Sequence, residues 1–208
     1  MLEIRPLADS GHDAFDAGAQ LAPYLARLVR RAPDALALLK ADGPAVLAAD
    51  AMKQAEAAAG LETRDEVMAA LRQAKLKNHM AVAAMDLSGA APLQDITGHL
   101  TGFADLAVDA ALQSALRMRG LKPDGMFVIA LGKMGAFELN YSSDIDMAIF
   151  YDPAVFAEGV PEAGELASKV VRDTMGLLEE ITGDGYVFRT DLRLRPDPGS
   201  TPPAVSTQ

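Results

Sequence analysis

The pattern of the chain changes once, at GLKPDG, residues 120–125, and that change limits the folds open to it. Before this point apolar residues return every three or four positions, the period of a helix buried on one face. In TRDEVMAALRQAKLKNHMAVAAMDLSG, residues 63–89, Val67, Leu71, Met80, Ala84 and Leu87 keep that rhythm. Thr63 and Glu66 have the spacing of a capping box and Gly89 ends the run, so one long amphipathic helix is expected. Leu93, Ile96, Leu100, Phe103, Ala107 and Ala110 repeat the pattern, and the stretches around 15–31 and 44–59 read as shorter helices broken by Pro and Gly. Arg72, Lys75 and Lys77 are expected on a solvated helix face, with a partner surface as the alternative.

After Gly125 the period drops towards two. MFVIAL, 126–131, is a short apolar run bounded by glycines, which predicts a central strand, and DIDMAIFY predicts a second. PEAGELASKVVRDTMGLLEEITG, with Pro161 early and Gly183 after its end, predicts a helix. VFRTDLRLR alternates: Phe188, Thr190, Leu192 and Leu194 fall on one face, Arg189, Asp191, Arg193 and Arg195 on the other. No internal repeat is visible. The fold class is therefore α+β, with a helical region over 1–118 followed by a mixed β-sheet with packed helices over 119–208.

Several function classes are disfavoured by composition. There are no cysteines, which removes disulfides, thiolate metal sites and cysteine nucleophiles and fits a reducing, cytoplasmic setting. A net charge of −10 argues against a large nucleic-acid footprint. The start MLEIRPLADSGHD lacks a signal-peptide pattern and no apolar run is long enough for a bilayer, so neither nucleic acid nor membrane is an expected partner. His12, His79 and His99 have no metal-binding spacing and read as surface or core residues.

The chemistry concentrates around FELNYSSDIDMAIFYD, 137–152, where Asp144 and Asp146 open a strand that otherwise belongs inside. Side chains two apart share a face, about 7 Å from one another along the strand. Two carboxylates so placed repel unless a cation lies between them, and the usual ion for hard oxygen ligands is magnesium (Mg2+). LGKMG, 131–135, precedes them, its glycines allowing close backbone approach to a ligand around Lys133, although the spacing is not that of a Walker A loop. Asp191 follows on a later strand among arginines suited to phosphate oxygens. Each feature has an ordinary structural explanation; together, in this order, they match a nucleotidyl-transfer site.

GKMGAFELNYSSDIDMAIFYD and GYVFRTDLRLRPDPGSTPPAVS also resemble the bifunctional glutamine synthetase adenylyltransferase/deadenylylase family, whose pattern is close to GKLGxxELNxSSDIDLIF and, after a helix, GxxYRVDxRLRPxGxxG. About 70 residues carry the likeness densely, and Met134 and Met147 depart from it where Leu is common. The resemblance implies a nucleotidyltransferase-type sheet in which Asp144, Asp146 and Asp191 are catalytic and ligate Mg2+. It implies that Gly132, Lys133, Ser142, Ser143, Arg193 and Arg195 hold nucleotide and phosphate. The ELN before SSDID resembles the adenylyl-removing half of the family, which implies phosphorolysis of adenylylated glutamine synthetase and regulation through a PII-type signal protein. It further implies an N-terminal fragment, its catalytic core truncated at the C-terminal end. Two alternatives keep the same residues: adenylyl transfer from ATP to a protein hydroxyl, and a docking module that binds nucleotide, glutamine synthetase or PII without turnover.

Overall fold

In the computed structural model, which describes residues 11–156, 162–194, 197 and 199–208, prolines set the boundaries of the early helices. Helix α1 (Gly11–Leu21) is followed by α2 (Pro23–Arg31), α3 (Pro33–Asp42) and α4 (Pro44–Ala57), each of these three with its proline in the first turn. There the missing N–H would have had no partner anyway, while the ring prevents the preceding helix from running on. Helix α5 (Arg64–Ser88) has the expected capping box, with the Thr63 N–H donating to Glu66 at 3.0 Å. Its C-cap is Gly89 at φ 69°, a left-handed conformation that favours glycine. Helix α6 (Leu93–Met118) buries the predicted stripe from Ile96 to Ala110, but Leu93, its first residue, is exposed.

Among the described residues strands begin only after Gly125. Strand β1 (Met126–Leu131) pairs antiparallel with β2 (Ile145–Tyr151). Parallel to β2 run β3 (Thr190–Asp191), beside its start, and β4 (Ala204–Ser206), beside its end. The expectation of a central strand at 126–131 is therefore wrong: β1 is an edge. Its run looked continuous because both faces are apolar, yet only one is covered, and Phe127 and Ile129 are 45% and 44% exposed. On the covered face Ile145, Met147 and Ile149 are wholly buried. Helix α8 (Ala163–Glu179) packs against α6 and against β3 and β4. It ends before Gly183, and Pro161 lies outside the described residues. Buried side chains from Phe15 to Ala204 form one contiguous core, so helices and sheet share it. Among the described residues no helix is long and apolar enough to cross a membrane.

The expectation of a solvated face at Arg72 and Lys75 is also wrong, for a reason that bears on the site. Arg72 is 1% exposed and spends its guanidinium on backbone carbonyls. Nε donates to Gly185 O at 2.8 Å, Nη1 to Met68 O at 2.9 Å and Leu177 O at 3.1 Å, and Nη2 to Glu180 O. One turn on, the Lys75 ammonium donates to Val187 O and stands over the rings of Tyr186 and Phe188, 4.8 and 5.2 Å from their centres. Only Lys77 keeps a surface role, paired with Asp50 at 2.6 Å. The last turn of α8 leaves carbonyls without helical partners, and a planar cation can satisfy several at once. Helix α5 thus clamps the segment that leads into β3.

Candidate functional site

The bonding register decides where the aspartates lie. Asp146 pairs with Leu131 across β1 and with Asp191 across β3. Residues directly opposite one another share a face, so Asp146 and Asp191 stand side by side on the face that also carries Phe127, Ile129 and Phe150. That face lies opposite the buried side chains of Ile145, Met147 and Ile149. Asp144 lies just before β2, and its carboxylate accepts from Arg189 Nε.

Asp191 lies where the chain leaves the sheet. Its Oδ1 accepts the Arg193 backbone N–H at 2.8 Å, an Asx-type turn that replaces a ladder bond and ends β3 after two residues. The long alternating strand expected over 187–195 is therefore not formed. Phe188 and Leu192 are buried, whereas Leu194, expected on the same face, is exposed. The Arg193 guanidinium folds back on Asp191, Nε reaching both carboxylate oxygens at 3.0 Å. These bonds hold the Asp191 carboxyl down at about 2, chiefly through the Arg193 side chain and then its backbone N–H. Arg193 also feels the charge of Asp146 and Asp144, so it stands within the field of all three aspartates.

The remaining expected residues fall around this group. Gly132, at φ 53°, opens the one-turn helix α7 (Gly132–Gly135), and a Cβ on it would stand 2.3 Å from Asp146 Oδ2. Its missing side chain thus makes room for the carboxylate itself. Lys133 is exposed beside it. Ser142 and Ser143 belong to a turn built on Asn140, whose Oδ1 accepts from Ser142 N at 3.0 Å and whose N–H donates to Ser143 Oγ at 3.1 Å. Arg195 lies outside the described residues.

As they stand, the carboxylates do not close around an ion: among the described residues no group of three Asp, Glu or His side chains is placed to hold a metal. The donor set is nonetheless of the type Mg2+ takes, hard oxygens with two of them in register on adjacent strands. Two arginines now occupy the places where a cation would compensate charge. Arg189 is the residue that sequence reasoning undervalued. Besides Asp144 it reaches Ser142 O at 3.0 Å and Tyr186 Oη at 3.3 Å, tying the SSDID turn to the segment before β3. Its position in FRTD, two residues before Asp191, was the available signal.

The whole sequence bears on the same reading. Residues 17–208 match the family described as glutamate-ammonia ligase adenylyltransferase. A protein of Caulobacter vibrioides described as a bifunctional glutamine synthetase adenylyltransferase/adenylyl-removing enzyme is 43% identical over 199 residues, 88% of this chain and 20% of its own length. Proteins with the same description from Rhodopseudomonas palustris (strain TIE-1) and Bradyrhizobium sp. (strain ORS 278) are 40% and 36% identical. They are covered over 21% and 24% of their lengths, by 93% and 100% of this chain. The chain thus spans about a fifth of the length of these relatives.

Proposed function

The chain belongs to the glutamate-ammonia ligase adenylyltransferase family, and from that premise we propose that it carries the nucleotidyl-transfer centre of an enzyme acting on glutamine synthetase. The observation that supports this most is the register of Asp146 with Asp191 on one face, with Asp144 just upstream and arginines among them. The finer reading is removal of the adenylyl group. Inorganic phosphate attacks the α-phosphorus of an adenylyl-tyrosine, the phosphorus–tyrosyl oxygen bond breaks, and ADP and the free tyrosine leave. What favours this direction is the ELN motif before SSDID; the three carboxylates serve adenylyl transfer from ATP equally well.

In this proposal Asp144, Asp146 and Asp191 hold Mg2+, which when bound supplies charge neutralisation at the phosphoryl oxygens and the leaving oxygen. For that to happen Arg193 must release Asp191 and Arg189 must release Asp144. Freed, Arg193 becomes a fork for phosphate oxygens, as Arg195 is proposed to be, while Lys133 and the serine turn line the approach. The apolar strip of exposed Phe127 and Ile129, with half-buried Phe150 stacked on Phe127, gives the nucleoside or the target protein a dry surface. The helical region over 1–118 and the catalytic core over 119–208 are proposed as the functional division, in the cytoplasm, with PII-type control acting through the longer protein. The test is direct: full-length enzyme, adenylylated glutamine synthetase, phosphate and Mg2+ should yield ADP, and Asp146→Asn should abolish it. Release of AMP rather than ADP, or product formed only from ATP and unmodified glutamine synthetase, would overturn the phosphorolytic reading.

A further inference from the structure

Between α2, α5 and the 182–187 segment lies a cleft of about 470 Å³ that none of Asp144, Asp146 and Asp191 lines. Its walls bring together Arg27, Arg31 and Lys75 with the rings of Tyr24, Tyr141 and Tyr186, and the buried Arg72 forms part of its floor. Asp184 is the one carboxylate among the lining residues. None of Arg27, Arg31, Arg72 and Lys75 forms an ion pair among the described residues. Arg72 has its donors committed to carbonyls, whereas Arg27 and Arg31 are exposed and line the cleft from α2. In a chain of net charge −10, four cations converging on one concave surface carry a self-repulsion that an anion would relieve. Lys75, the half-buried cation of the wall, has its amine pushed down to about 8, by burial first and then by Arg189 and Arg72.

We propose that this cleft binds a phosphate-bearing anion. Two guanidinium forks and an ammonium supply charge and directed donors, which suits a tetrahedral oxyanion. Aromatic rings at the walls leave room for a base to stack if the phosphate belongs to a nucleotide. The cleft is coupled to the carboxylates through its wall: Arg189, which engages Asp144, also bonds Ser142 O and Tyr186 Oη, and both residues line the cleft. The proposal does not rest on the direction of adenylyl transfer, nor on metal binding by the aspartates.

Thermal melts and calorimetry of this 208-residue chain decide it, in EDTA and in an Arg193→Gln background so that the phosphate-holding groups proposed beside the aspartates do not contribute, with inorganic phosphate and AMP as probes and potassium chloride as the equal-ionic-strength control. Phosphate or AMP should raise the melting temperature beyond the chloride control. Arg27→Gln with Arg31→Gln, both exposed and so without folding cost, should weaken binding at least tenfold, and Lys75→Gln alone should weaken it as well. Asp146→Asn should leave binding unchanged. Tighter binding of AMP with the same arginine dependence identifies a nucleotide as the source, and equal or tighter binding of free phosphate identifies the free ion. No shift with either probe, a shift that survives in the double variant, or one abolished by Asp146→Asn refutes the site.

Discussion

Replacing Arg72 by Met tests whether α5 positions the segment leading into β3. Methionine keeps an unbranched apolar stem but removes the donors that now serve Leu177 O, Glu180 O and Gly185 O. A hydrogen bond to a charged donor contributes about 1.5–3 kcal/mol, and losing one partner of a buried ionic arrangement usually costs about 3–5 kcal/mol. Three bonds would exceed that range, but the native guanidinium already bears a desolvation cost, seen in the lowering of its proton affinity by burial first of all. The expected loss is therefore about 3–5 kcal/mol, a large share of the stability of a domain this size. Urea unfolding followed by circular dichroism measures it, and Arg72→Lys should recover little, because one ammonium cannot span three carbonyls. Hydrogen exchange should quicken at Val187 and Phe188, whose N–H groups now bond to Leu178 O. A loss below about 1 kcal/mol, or unchanged exchange at those two amides, would refute the clamp.

Acidification gives a second prediction, through His79, which burial first and then Lys75 push down to about 3 and which is paired with the Tyr24 hydroxyl. The unfolded chain takes up this proton below about pH 6.5 and the folded chain does not, so stability should fall by about 2 kcal/mol between pH 7.5 and 5. Urea midpoints at the two values should show the fall in the wild type and little of it in His79→Gln; equal falls in both would remove His79 as the cause. A third concerns the aspartates: the Asp144–Arg189 pair is solvent-exposed, so Asp144→Asn should alter stability by no more than about 1 kcal/mol. Millimolar Mg2+ should raise the melting temperature of the wild type and not of Asp144→Asn or Asp146→Asn. If the wild type gains nothing while both variants melt clearly lower, the carboxylates are structural.

Periodicity carried the helical half well because an amphipathic helix writes its buried face into the sequence residue by residue. The ends of α5 were legible from Thr63, Glu66 and Gly89 for the same local reason. Sheet position was not legible. Nothing in MFVIAL separates a strand buried on both faces from an edge strand whose outer face stays apolar, and the three-residue β4 is too short to carry a period. Nor could alternation in VFRTDLRLR announce that Asp191 would capture the N–H two residues on and stop the strand. The proposed site residues were readable as a set, but the place of Arg189 depends on its contact with Asp144, more than forty positions away, whereas Arg193 bonds Asp191 only two positions back.

The polar stripe on α5 did leave a trace. Arg72, Lys75 and His79 stand at i, i+3 and i+7, the spacing of a buried helix face, in a helix whose other core positions are mostly Ala, Leu and Met. Basic residues at core spacing have two physical outcomes, a solvated stripe or a set of donors for a neighbour that lacks them. The second holds here because the last turn of α8 and the loop after it present carbonyls with no helical partner, and burial of the stripe follows from that supply. The consequence reaches the carboxylates. β3 is only two residues long and cannot fix its own place, so Asp191 is located by what precedes it. That segment is held by Arg72 and Lys75 from α5, by Glu179 accepting the Thr190 N–H at 2.8 Å, and by Arg189 reaching the SSDID turn. A helix remote in sequence therefore helps hold the segment that brings Asp191 into register with Asp146, and changes to its polar stripe should act on the proposed chemistry without touching any aspartate.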